Sequence, residues 1–377
     1  MTVSDNFFSD FPPVSKEAWL RQIAKDLKGR PLEELDWMLD EGLRVSPFAH
    51  ADDFAQPPKP MLGRPAHWEI CEDVLVADPV AANLRALEAL EGGAEGLRFI
   101  FETSPNWADF QQVFEKIHLD FIGLHFAGAG VRGNPGLVLG FLERLAQQRD
   151  TPPQQLRGSF AYDPATSAGI VDWRYLVDLL GFANTQFPQF KLVTIAVLSS
   201  PSAETLGAGL KHANLYFQKL TERGLSASAV AGALQLSVVI EKSYFLEIAR
   251  IRALKLLWLN ALQAWGVPLE YPVVEVSFRP EAYSDELYTN MIRATTMAMS
   301  AVLGGADRLT VLPYDEGREA LATYSKPFSR RIARNVQHLL KMEGFFDEIP
   351  DAAAGSYYIE QLTQQLAERA WASFRQA

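Results

Sequence analysis

Eight apolar runs of five to nine residues recur between residues 68 and 314: "WEICEDVLV", "LRFIFE", "FIGLHF", "GSFAY", "LVTIAVL", "LQLSVVI", "VEVSF" and "LTVLPY". They are rich in Val, Ile and Phe, as strands buried on both faces are. Helix-length segments separate them, among them 79–92, 137–149, 205–223, 242–265 and 284–304. An alternation of this kind specifies an α/β protein with a parallel sheet. Eight repeats are what a (β/α)₈ barrel requires. A doubly wound open sheet has the same periodicity, which does not itself report closure.

The first 45 residues read as an arm. Trp19, Leu20, Ile23 and Leu27 recur at helical spacing with basic residues between them, and a Pro-rich stretch runs from Pro47 to Pro65. An apolar helical stripe has to cover something, either its own chain or a partner. We expect an N-terminal helical and extended arm over 1–66 and a barrel over 67–377.

The net charge of −11 and the absence of a basic stripe argue against nucleic-acid binding. Cys71 is the single cysteine, so neither an internal disulfide nor a cysteine-rich metal site is expected. The first residues show no basic segment followed by a hydrophobic core, so no signal peptide is expected, and no uncharged apolar run is long enough to span a bilayer. A cytoplasmic protein with no membrane association is expected.

In a barrel, chemistry belongs at the C-terminal ends of the strands. The candidates there are Glu102 with Thr103, His125, Tyr162 with Asp163, Ser199 with Ser200, Glu241, Arg279, and Tyr314 with Asp315. A strand-end histidine such as His125 is more often a buried, hydrogen-bonded residue than a base. No two histidines have the spacing of a helix-borne metal pair, so no metal is expected. "GAGVRGNPG", 128–136, lacks the dinucleotide and Walker patterns and reads as a connecting loop. In "SYFLEIARIRALKLLW", 243–258, charges interrupt a helix that is apolar on most sides. Glu247 and Arg250 are spaced to pair within the helix, whereas Arg252 needs an acceptor from elsewhere. We read Glu247, Arg250 and Arg252 as a structural ion network.

That stretch resembles the helix after the sixth barrel strand of the cobalamin-dependent methylmalonyl-CoA mutases. The resemblance continues in "FSRRIARNVQHLLKMEGFF", 328–346, in "AAAGSYYIEQLTQQLAERAW", 352–371, and in "RATTMAMSAVLGGADRLTVLPYDE", 293–316. It reaches back to "HWEI", 67–70, and to "DLKGRPLEELDWMLDEGLRVSPF", 26–48, so it covers most of the chain in order. It implies a (β/α)₈ TIM barrel that threads coenzyme A along its axis. It also implies a flavodoxin-like domain for adenosylcobalamin, whose radical chemistry the barrel encloses.

The chain departs from the catalytic pattern at the positions that matter. The family's Tyr-His run after strand five becomes "SSPSAETLGA", with Pro201 and Ser202 in those two places. "WEICED" puts Cys71 at the family's arginine and Asp73 at its tyrosine, where a carboxylate repels an acidic acyl group. "AYD" keeps only Asp163 of a Gln-Asn-Asp run. No D-x-H-x-x-G cobalamin signature occurs, so we expect no cobalamin-binding flavodoxin-like domain in these residues and no cofactor bound by this chain alone.

The resemblance is thus to the small, non-catalytic chain of heterodimeric mutases. It implies a large catalytic partner carrying adenosylcobalamin, or self-association, through the N-terminal arm. No catalytic residue is assigned, because Asp73, Pro201 and Ser202 are degenerate positions. A strand-end acyl-CoA pocket would draw on His125, Asp163, Ser199, Ser200, Arg279, Tyr314 and Asp315. The alternative is the acyl-CoA barrel of a split mutase whose cobalamin domain lies on another chain.

Overall fold

A computed structural model of the chain describes residues 12–40, 43–61, 66–166, 170–197 and 202–376. Among these, nine strand segments form one all-parallel sheet. In chain order they are Glu69–Leu75, Gly96–Ile100, Gly123–Ala127, Arg157–Phe160, Gln189–Lys191, Val193–Val197, Leu234–Val239, Val274–Ser277 and Arg308–Thr310.

Only Leu192 separates the fifth segment from the sixth. Gln189–Lys191 pairs with the fourth strand, and Val193–Val197 pairs with Leu234–Val239. The two segments are therefore one strand that changes neighbours, and the sheet closes through it. Thr194 N–H donating to Tyr162 O at 3.0 Å continues the seam. The architecture is a (β/α)₈ TIM barrel, and we number its strands one to eight.

The outward faces of the strands are apolar because helices cover them. Phe99, Phe126 and Phe160 project from strands two to four and are fully buried. Phe99 packs on Phe114 at 4.6 Å between ring centres, and Phe126 on Phe160 at 5.0 Å. The stretch expected as a loop after strand three instead holds a short helix, Ala129–Gly133, followed by Pro135–Gln148. Proline at the first helical position and the Asn134 cap, accepting from Leu137 N–H at 3.0 Å, start that second helix.

The helix Tyr244–Ala264 is buried almost all round. Its charges find partners on several elements. Arg250 pairs with Glu247 at 2.8 Å and also donates to Val239 O at 2.6 Å. Arg252 holds both Asp351 and Glu360, the latter at 2.8 Å. Lys255 reaches Asp307 at 2.8 Å, ahead of strand eight.

The C-terminal helix Tyr357–Gln376 lies across Tyr244–Ala264 and Ala203–Thr221. At the second crossing the missing side chain of Gly207 admits the Ala370 carbonyl, which a Cβ would meet at 2.8 Å. The arm folds back onto the same C-terminal helix. Its helix Lys16–Asp26 is followed by a hairpin, Trp37–Asp40 with Leu43–Val45. Trp37 meets Tyr358, and His50 and Phe54 meet Tyr357. The arm helix itself buries no residue.

Candidate site on the barrel axis

Side chains alternate across a strand. Glu72 reaches outward to Arg334 and Arg85 on the surrounding helices, so its neighbours Cys71 and Asp73, and Glu69 before them, face the axis. The same parity brings in Arg98 from strand two, His125 from three, Ser159 from four, Glu275 from seven and Arg308 from eight.

These groups form one connected network. His125 Nε2 lies 2.6 Å from Glu69 Oε1, and Nδ1 lies 2.8 Å from both Ser159 Oγ and Arg308 Nη1. Arg308 also pairs with Glu275. One tautomer satisfies all of this: Nε2–H donates to Glu69 while Nδ1 accepts. Burial, reinforced by Arg308, outweighs Glu69 and lowers the imidazole to about 4, so the ring is neutral at pH 7. Burial opposes the charge on Glu69, but His125, Arg308 and Arg157 hold its carboxyl below the usual range.

Above this layer Arg98 grips Asp73 with two parallel bonds of 2.8 and 2.7 Å. Opposite, Gln235 donates to Thr194 Oγ1 at 2.7 Å. Gly96 and Gly123 make room for the lower layer, since a Cβ at either would collide with the Glu69 carboxylate.

The axis is therefore occupied by protein. His125, Arg308 and Gln235 are 3%, 5% and 1% exposed, so this layer of the axis is largely shielded from solvent. Toward the C-terminal mouth the inward residues Leu75 and Ala196 are exposed, and the barrel opens to solvent there. A linear chain threaded from end to end would have to displace an arginine, two glutamates and a histidine that are bonded to one another.

Glu69, Cys71 and His125 present donor atoms within 4.8 Å of one another. They do not suit a cation. Burial pushes the Cys71 thiol up to about 12, and the Arg308 guanidinium occupies one imidazole nitrogen. Nor does the axis offer an axial ligand for cobalt, because both ring nitrogens of its histidine are already bonded.

Among the described residues, the sequence candidates do not assemble into one pocket. His125 lies inside its strand, below the mouth, rather than at an open strand end. Asp163 turns to the helix Ala203–Thr221, where it accepts from His212 at 2.9 Å and from Tyr216 at 2.5 Å. Tyr314 and Asp315 are buried beside the eighth strand, with Asn290 donating to Tyr314 O at 3.0 Å and Lys326 lying 3.6 Å from Asp315. Arg279 is exposed ahead of a single turn, Pro280–Ala282. Ser199, Ser200 and Pro201 lie outside the described residues. Ser202 caps the helix Ala203–Thr221, accepting from Thr205 N–H at 3.3 Å.

Glu69, Arg98, Ser159, Glu275 and Arg308 were missed. The signal was present. A strand covered on both faces should read as continuously apolar, so charges at alternate positions within such runs mark the axis.

The sequence matches the family model described as methylmalonyl-CoA mutase over residues 103–377. It is 31% identical to a methylmalonyl-CoA mutase small subunit of Porphyromonas gingivalis, over 98% of this chain and 64% of that protein. A small subunit of Streptomyces virginiae is 26% identical with the same two coverages, and a methylmalonyl-CoA mutase of Rhizobium meliloti is 26% identical over 94% and 56%. The chain thus spans less than two thirds of the length of these relatives. No helix among the described residues is long and apolar enough to cross a membrane. A closed parallel barrel and a match running through its last six strands lead to one conclusion: the chain belongs to the methylmalonyl-CoA mutase family.

Proposed function

We propose that this chain is a small-subunit-type barrel that supports a catalytic large subunit in the interconversion of (R)-methylmalonyl-CoA and succinyl-CoA. In this reading it is not catalytic itself. Residues 67–377 act as the barrel unit and 1–66 as the arm, and adenosylcobalamin is held by the partner. The observation that carries the reading is the bonded chain Glu69–His125–Arg308–Glu275, which fills the axis where an acyl-CoA barrel needs a passage. The likeness to methylmalonyl-CoA mutase small subunits supports it.

The arm is the proposed contact with the partner. Trp19, Leu20, Ile23 and Leu27 are all only half-buried on their own chain, so the apolar stripe retains surface to cover. Two measurements test the proposal. Titration of the isolated chain with methylmalonyl-CoA should give no saturable heat. Co-expression with a mutase large subunit should yield a complex on size-exclusion chromatography, and Trp19→Ala with Ile23→Ala should weaken it. Tight binding of the thioester by the isolated chain, or no complex at micromolar concentration, would overturn it.

A further inference from the structure

A cavity of about 160 Å³ lies between the helix Ala227–Ala233, the helix Tyr244–Ala264 and the segment 267–273. Of its lining residues, Leu234 begins strand six and Val273 directly precedes strand seven, so it belongs to the N-terminal face of the barrel, away from the open mouth. Its walls are apolar. Leu234, Trp258, Leu262 and Pro272 are buried, and Phe217 packs on Trp258 at 6.0 Å between ring centres. Ser228, Gly232 and Glu270 are exposed at its rim. None of the lining residues belongs to the axis network. A space of this size takes one benzene-sized molecule.

Lys191 enters this cavity from strand five. Its Nζ donates to Gly232 O at 2.7 Å, and among the described residues it has no ion-pair partner. Glu270 is the one acid among the lining residues and acts on Lys191 at longer range. Burial lowers the ammonium below its ordinary value, and the pull of Glu270 does not cancel this. A lysine desolvated beside an apolar pocket is a usual form of activated amine. The neutral amine can give one N–H to Gly232 O and still keep a lone pair for an occupant of the cavity.

We propose that Lys191 is a nucleophilic lysine whose cavity takes a small apolar aldehyde, held covalently as an imine on Nζ. The neutral amine attacks the carbonyl carbon, so that a C–N bond forms and the carbonyl π pair moves to oxygen. A proton passes from nitrogen to that oxygen, which gives a carbinolamine. The C–O bond then breaks, the hydroxyl leaves as water with the remaining nitrogen proton, and the nitrogen is left in a C=N bond. The step needs neither oxidant nor reductant. An acyl thioester is the poorer fit, because its thiol leaving group would also have to be placed in a space for one ring. The site does not depend on the proposed role in a mutase.

Incubation of the full chain at pH 7 with benzaldehyde and sodium cyanoborohydride tests it, since the reagent reduces the imine to a stable secondary amine that peptide mass spectrometry can place. Lys191 should take the first label, ahead of the exposed Lys28, Lys116 and Lys242. Benzyl alcohol has the ring without the carbonyl and should protect Lys191 while leaving the exposed lysines unchanged. Lys191→Arg should lose the first label. Val267→Phe fills the cavity but keeps the amine, and should slow Lys191 to the rate of the exposed lysines, which keeps the test decisive if Lys191→Arg does not fold. The proposal is overturned if Lys191 labels no faster than the exposed lysines in the wild type, if benzyl alcohol gives no protection, or if Val267→Phe labels at Lys191 as fast as the wild type.

Discussion

The molecule holds two buried ion networks of opposite design. Around the helix Tyr244–Ala264 the charges join different elements: Glu247 with Arg250 in one turn, Arg252 with Asp351 and Glu360, Lys255 with Asp307. On the barrel axis the charges converge on one neutral imidazole, which passes hydrogen bonds between Glu69 and Arg308. The first network ties outer elements to the barrel. The second fills the interior of the barrel with bonded polar side chains. The difference teaches that buried charge has two structural uses here, tethering and filling, and that only the second bears on ligand access.

Breaking one tether should have the largest effect. Arg252→Ala leaves Asp351 and Glu360 buried without their cation, and a loss of about 3–5 kcal/mol is expected by urea denaturation. A loss below ~1 kcal/mol would show that this pair does not hold the C-terminal segment.

The axis network should instead reveal itself through pH. The folded imidazole lies near 4 and an unfolded one near 6.5. Between those values the unfolded chain binds a proton that the native chain does not, so stability falls as pH drops from about 6.5 to 4. The His125 contribution over that window is on the order of 3 kcal/mol. Depression of Glu69 acts in the same sense at lower pH, because its protonation removes a charge that the native state favours. His125→Gln should flatten the stability profile between pH 6 and 4 relative to wild type, and parallel profiles would exclude a buried neutral histidine.

A smaller effect sharpens the account of filling. Gly96→Ala pushes a methyl group into the Glu69 carboxylate and should destabilise by about 1–3 kcal/mol. Combined with Glu69→Ala the clash disappears, so the double variant should fall short of the summed losses. Additive losses would mean that Glu69 does not lie across the floor of the barrel.

Much of the fold was legible in the chain. The eight apolar runs correspond to the eight strands, and the helix expected over 242–265 is found at Tyr244–Ala264. Two differences have plain causes. The fifth strand changes partners at Leu192, a seam that no pattern records, because each half pairs in the ordinary way. The expected loop at 128–136 contains a turn of helix, since Gly128, at φ +99°, turns the chain tightly against Phe101 and lets Ala129–Gly133 begin.

The site was far less legible. His125 was visible as a candidate, but its setting depends on Glu69, Ser159 and Arg308, which lie 56, 34 and 183 residues away.

By itself, the sequence determined the class of fold, the order of its elements and the family resemblance. These are properties of local periodicity and of residue identity, which the chain carries without folding. Only the tertiary structure decided that the axis is filled and that Glu69, His125 and Arg308 form one network. Closing a barrel brings eight distant inward positions within bonding distance, and whether they leave a passage depends on side-chain volumes and charges meeting across the axis.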